Sequence, residues 1–175
     1  MFSPHLLLLD APAHEARISI LRDLLFSGRG SPFYELGTFF LPNIAFDIIG
    51  LALIFFASPE DAGTSFVVLI LILTFSCVAV LNRVVTKQWS LTPLASGLLT
   101  YNLVTILGFF SYSFGLALVP WALAIRLRLE RRLSSVQFLA GTGLAILLLF
   151  CHVFAFGIYA VMSTGFVLVA LRQRQ

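Results

Sequence analysis

LTPLASGLLTYNLVTILGFFSYSFGLALVPWALAI, residues 91–125, runs for 35 residues without a formal charge. As one helix at about 1.5 Å per residue it would be roughly 52 Å long, against about 30 Å of bilayer hydrocarbon. The length predicts that it folds back on itself. The natural break is Gly108-Phe-Phe-Ser-Tyr-Ser-Phe-Gly115, where glycines, serines and the interface-seeking Tyr112 interrupt the aliphatic run. Spanning helices are therefore expected over 91–109 and 113–127, the second kinked at Pro120.

The flanks test this independently. Arg83 and Lys87 precede the run, and Arg126, Arg128, Arg131 and Arg132 follow it. Basic loops stay cytoplasmic, so both flanks lie on one side and an even number of crossings separates them. Upstream, the uncharged Thr64–Leu81 predicts a span over 64–82. Downstream, Ser134–Leu171 is again uncharged for 38 residues, bounded by Arg132 and Arg172. A second hairpin is expected there, 134–151 and 153–171, turning within Cys151–Gly157; one long bent helix is the alternative. Phe39–Ala57 is apolar but holds Pro42, Asn43 and Asp47, so 39–57 is either a spanning or a re-entrant helix, and the side of the N-terminus depends on which. Ala16–Phe26 puts Ile18, Leu21 and Leu25 on one face and reads as a short amphipathic helix at the membrane surface, ended by the turn Gly28–Pro32.

The whole is an all-α, polytopic transmembrane bundle. About five crossings, one re-entrant or interfacial helix and the short N-terminal helix make a single integral membrane domain over 1–175. Composition agrees: 59% of residues are hydrophobic, 11% charged and 18 are Phe, with mean hydropathy +1.01. A soluble domain is excluded, and the lipid bilayer is the first partner. The net charge of +3 is bunched between apolar runs, which is topological information and not a nucleic-acid footprint. Cys77 and Cys151 sit in apolar runs without metal-ligand spacing, and no cofactor or metal motif stands in the sequence. MFSPHLLLLD is too short in its apolar core for a signal peptide and reads as the last turn of a membrane span.

Few residues are left to carry chemistry. Asp10, His14 and Arg17 cluster in LDAPAHEAR, where a carboxylate at the membrane surface can act as general base or simply sit in a solvated loop. Asp47 is an ionisable group inside an apolar segment, costly unless shallow or partnered, with Asn43 expected four residues back on the same helical face. Tyr101, Asn102 and His152 are polar groups on greasy helices, which interhelical hydrogen bonds explain without chemistry. Trp89 and Tyr112 read as interface anchors.

Taken together, Asp10, Pro12, His14 and Arg17, then Pro42, Asn43 and Asp47, then Tyr101, Asn102, Gly108 and Phe109, and finally His152 resemble the motifs of a bacterial family of large polytopic membrane proteins, mostly without assigned function. That family is similar in layout to the GT-C glycosyltransferases, which move a sugar from a polyprenyl-phosphate donor on the outer side of the membrane. The resemblance implies a place in the bacterial inner membrane, Asp10 as catalytic residue, and His14, Arg17, Asp47 and His152 as substrate-binding groups. It also favours the re-entrant reading of 39–57, and it makes this chain similar to an N-terminal fragment of the family. A non-catalytic membrane subunit or assembly protein, with helix-packing partner subunits, is the alternative function. A transporter ranks behind both, because only Asp47 offers a charged group for a midplane site.

Overall fold

Ser58-Pro-Glu-Asp is a helix start. The Ser58 hydroxyl oxygen accepts from the Asp61 N–H at 3.1 Å, Pro59 has no N–H to leave unpaired, and Glu60 and Asp61 lie at the positive end of the helix dipole. The helix it opens is the longest in the computed structural model, which describes residues 9–28, 32–37, 41–91, 93–100, 102–129 and 135–172. Among these residues there are helices and no strands: α1 (Ala11–Phe26), α2 (Ala45–Leu53), α3 (Pro59–Thr86), α4 (Leu94–Thr100), α5 (Leu103–Ile106), α6 (Phe110–Leu129), α7 (Ser135–Cys151) and α8 (Val153–Arg172). Lys87 closes α3 in the left-handed region at φ 63°.

The arrangement follows from α6. The apolar stretch of α6 is 56% buried and that of α3 only 22%, so α6 is the central helix. α3 runs beside it in the same direction: Phe66 meets Phe110 and Phe114 near their starts, and the Cys77 thiol reaches the Trp121 main chain further along. On the other side α7 comes back antiparallel, with Gly141 beside Arg126 and Cys151 beside Gly115. Gly115 is what lets the helices close. A Cβ there would lie 2.9 Å from the Ala155 Cβ and 3.1 Å from the Cys151 Cβ, the small-residue contact typical of tightly packed apolar helices. α8 then runs back along α6, with Ala155 beside Gly115 and the Tyr159 hydroxyl near Gly141. These directions gather Arg83, Lys87, Arg126, Arg128 and Arg172 at one end of the bundle, and Asp10, Glu60 and Asp61 at the other.

Two helices, α3 and α6, are long and apolar enough to cross a membrane, and Phe138–Cys151 and Val153–Val169 are shorter apolar helices. Large apolar side chains stand exposed along the outer helices, among them Ile72 at 59%, Phe138 at 75% and Val161 at 74%.

Several expected boundaries move. The span over 91–109 is instead two short helices, α4 and α5, because Asn102 restarts the helix: its side-chain oxygen accepts from Val104 and Thr105 N–H at 2.9 and 3.2 Å. The turn expected over Gly108–Gly115 contracts to Gly108, whose φ of +85° reverses the chain. Ser111, Ser113 and Gly115 belong to α6, which starts at Phe110 and stays one helix across Pro120, so 113–127 becomes Phe110–Leu129. The span 64–82 lengthens to Pro59–Thr86. Among the described residues of 39–57 the helix is Ala45–Leu53, nine residues or about 13 Å at 1.5 Å each, too short to cross about 30 Å of hydrocarbon. The N-terminal helix begins at Ala11, ahead of Ala16. The second hairpin turns at His152, between α7 and α8. Tyr101, Arg131 and Arg132, and the leucines before Leu9 lie outside the described residues.

Candidate functional site

The chain enters α1 along the end of α5. Leu9 and Asp10 N–H donate to the Ile106 and Leu107 carbonyls at 3.3 and 3.2 Å. Gly108 makes the approach feasible: its φ is +85°, and a Cβ on it would stand 3.1 Å from the Asp10 nitrogen, the Asp10 Cβ and the Ala11 nitrogen. Asp10 is the N-cap residue of α1, yet its carboxylate makes no capping bond. Pro12 has removed one of the N–H groups a cap would serve. The carboxylate turns instead to His14, one helical turn on, with Oδ2 3.4 Å from Nε2, and it remains half exposed.

His14 lies on an aromatic bed. It stacks on Phe110 at 5.2 Å and meets Phe46 edge-on at 5.4 Å; Phe46, Phe66 and Phe110 are buried beneath it. Burial pulls the His14 imidazole below its ordinary 6.5, outweighing Asp10 and Asp47, which raise it, while Arg17 adds to the lowering. The ring is therefore neutral at pH 7.

One further turn along α1, Arg17 Nη2 meets Asp47 Oδ2 at 2.7 Å. Asp47 sits in the first turn of α2 and is 8% exposed. Burial raises its carboxyl above the ordinary 3.8, against the opposing pull of Arg17 and His14. The Arg17 side chain stays half exposed, so donors remain on its outer side. α1 reaches this position through two close crossings. Ile18, fully buried, packs on Gly50 of α2, and the Glu15 carboxylate lies over Gly63 of α3, where a Cβ would be 2.8 Å from Oε1.

α2 is seated by partners distant in sequence. Ser111 Oγ accepts from Phe46 N–H at 3.1 Å and donates to the Asn43 carbonyl at 3.3 Å. Asn43 and Ile44 N–H both donate to the Phe150 carbonyl, at 3.0 and 3.1 Å. That carbonyl is free because α7 stops at His152. Asn43 therefore lies ahead of α2 at φ 75° and does not share a helical face with Asp47, as its spacing had suggested.

Asp10, His14, Arg17 and Asp47 are thus brought together, on α1 and α2. His152 is held apart from this chain of contacts: its Nδ1 accepts from Phe154 N–H at 3.2 Å, capping the start of α8, and its ring rests edge-on against Tyr112 at 5.1 Å. In the structure it caps a helix and does not join the Asp10, His14, Arg17 and Asp47 cluster. Asn102 is likewise a cap, and Tyr101 lies outside the described residues. Cys77 and Cys151 are free and buried, and among the described residues no three His, Cys, Asp or Glu side chains gather as metal ligands. Phe46 and Phe110 are the supporting residues that sequence reasoning missed, with no signal to mark them; Gly108 and Ser111 were read only as parts of a turn. No family model, no curated protein and no solved structure matches this chain.

Proposed function

We propose that the chain is a multi-pass protein of a bacterial inner membrane and a transferase of GT-C layout, with Asp10, His14, Arg17 and Asp47 on the outer face. In this reading α3, the broken α4–α5 return, α6, α7 and α8 are the five crossings. α2 is the re-entrant helix and α1 lies on the surface. The exposed apolar side chains of the outer helices and the collection of arginines at one end support the embedding.

The observation that carries the site is the convergence of Asp10–His14 and Arg17–Asp47 at the end opposite those arginines. The set suits transfer from a polyprenyl-phosphate sugar. Asp10 takes the proton of an acceptor hydroxyl as its oxygen attacks the anomeric carbon. The bond from that carbon to the phosphate oxygen breaks, and polyprenyl phosphate leaves with the electron pair. Arg17, half exposed, stabilises the departing charge. Asp47 holds Arg17 in place, and neutral His14 keeps the Asp10 carboxylate oriented.

The test is transfer of label from tritiated polyprenyl-phosphate hexoses by membranes carrying the full chain. Asp10→Asn retains size and most hydrogen bonding but not basicity, so transfer should vanish with expression unchanged. Full transfer in Asp10→Asn overturns the proposed base. A non-catalytic membrane subunit is the second reading, favoured by one observation: Arg17 and Asp47 already neutralise each other at 2.7 Å. Its signature is no transfer by the wild-type chain, together with a lowered melting temperature in Arg17→Ala.

A further inference from the structure

The end of α3 is a turn that holds two cations and an indole together. Asn82 Nδ2 donates to Ser90 Oγ at 2.9 Å, and Thr86 Oγ1 accepts from Gln88 N–H at 3.2 Å. Lys87, in the left-handed region, turns the chain back between them. The Arg83 guanidinium lies over the Trp89 ring, 6.0 Å from its centroid, and Trp89 is 72% exposed. Lys87 Nζ donates to the Val84 carbonyl at 2.7 Å, which leaves it two further N–H donors. Arg128 stands level with them on α6. The Cys77 thiol marks where α3 passes Trp121; Arg83 is six residues beyond the first and Arg128 seven beyond the second, about 9 and 10.5 Å at 1.5 Å per residue.

We propose that this surface, centred on Arg83, Lys87 and Trp89, binds the phosphate of an anionic phospholipid in the cytoplasmic leaflet. The proposal rests on the membrane embedding argued above, but not on the transfer chemistry. Charge calls for an anion. After Asp61 the sequence holds eight Lys and Arg and a single acid, Glu130, which lies among Arg128, Arg131 and Arg132 and neutralises one of them at most. Among the described residues every ion pair lies within residues 10–47, so none involves this end. Helix ends attract a cation or two, as Lys87 on α3 illustrates. They do not account for the indole, or for Val85, Leu91 and Leu94, which stand exposed in the same turn and at the start of α4. An acidic protein surface would match the cations and leave these side chains unmatched. A leaflet matches both, with phosphates beside the guanidinium and ammonium groups, the indole at headgroup level and hydrocarbon beneath.

The experiment uses the full chain with Trp121→Phe, so that Trp89 is the sole tryptophan. It is placed in phosphatidylcholine vesicles with a trace of phosphatidylglycerol or phosphatidylcholine carrying pyrene in one acyl chain, and energy transfer from Trp89 reports which lipid gathers there. Phosphatidylglycerol should be enriched about five- to twenty-fivefold, the yield of one or two cations at about fivefold each. Arg83→Gln with Lys87→Gln should remove the enrichment, whereas Arg83→Lys with Lys87→Arg, which keeps both charges, should retain it. A tryptophan moved to the opposite end, Leu103→Trp with Trp89→Phe and Trp121→Phe, should find the two lipids equally. Equal transfer at Trp89, enrichment that survives the double Gln variant, or the same enrichment at position 103 overturns the proposal. Displacement of the phosphatidylglycerol by soluble poly-glutamate overturns it in favour of an acidic protein partner. Extraction of the chain from the vesicles by alkaline carbonate overturns the embedding and this proposal together, whereas equal transfer from a chain that resists extraction overturns this proposal alone.

Discussion

Arg17 of α1 and Asp47 of α2 meet at 2.7 Å, one half exposed and the other nearly sealed from solvent. The pair is asymmetric, so its two single mutants should differ. Arg17→Ala leaves a buried carboxylate without its counter-ion and should cost about 1–3 kcal/mol, toward the low end because the guanidinium is screened by water. Asp47→Asn removes the charge and leaves Arg17 free to hydrate, so the double variant should be more stable than Arg17→Ala alone. Thermal melts of all three in detergent check this; strictly additive losses would mean that the pair contributes nothing.

Gly108 controls where Asp10 sits. Gly108→Ala meets both a left-handed backbone, costing about 1–2 kcal/mol for an L side chain, and the Asp10–Ala11 main chain at 3.1 Å. It should lower the melting temperature and suppress transfer with Asp10 itself intact. Gly143→Ala, a helical position with open space around it, should leave transfer unchanged and stability equal or higher by about 0.5–1 kcal/mol. Equal behaviour of the two variants would sink the argument.

The pH dependence has a definite sign. His14 in the folded chain protonates below 6.5, so on acidification the unfolded chain takes up a proton first. Stability contributed by the neutral ring is complete above 6.5 and declines as pH falls from there to the folded midpoint. Asp47 acts in the other direction. Its raised folded value means that stability declines as pH climbs from 3.8 toward that value, and the cost persists above it. Histidine ¹⁵N titration should find the His14 midpoint below 6.5, moving back up in Phe110→Leu, which thins the aromatic bed. A midpoint above 6.5 would mean that the carboxylates, and not burial, control the ring.

Topology can be read by labelling in a Cys77→Ala, Cys151→Ala background. Gln88→Cys, beyond the end of α3, should react only from the cytoplasmic side, and Leu103→Cys, at the start of α5 and 68% exposed, only from outside. Labelling of both from one side would end the two-hairpin reading.

The parts of this fold legible in the sequence are those dictated by length and charge. The fold-back of Ser134–Leu171 follows from a run too long to cross once, and α7 and α8 fall within a residue or so of the expected 134–151 and 153–171. Local side-chain competition was not legible. Asn102 in an apolar run is compatible with a hydrogen bond to another helix or with a cap, and only the geometry of Val104 and Thr105 N–H distinguishes them. At the site, Asp10, His14 and Arg17 announce themselves as a polar cluster just after a leucine run. Their pairing with Asp47 depends on how α1 packs across α2 at Ile18 and Gly50, which no local pattern encodes. Phe46 and Phe110 were invisible for a plainer reason: among 18 phenylalanines, nothing marks the two that carry a histidine.

The carbonyl of Phe150 accepts from both Asn43 and Ile44, so the seat of α2 is built from a residue made long after it. At a synthesis rate of about 5–20 residues per second, roughly 5 to 20 seconds separate the two on the ribosome. Throughout that interval α2 has no final resting place. Asp47 and Arg17 must wait in a provisional arrangement, and the chain assembles its N-terminal end last.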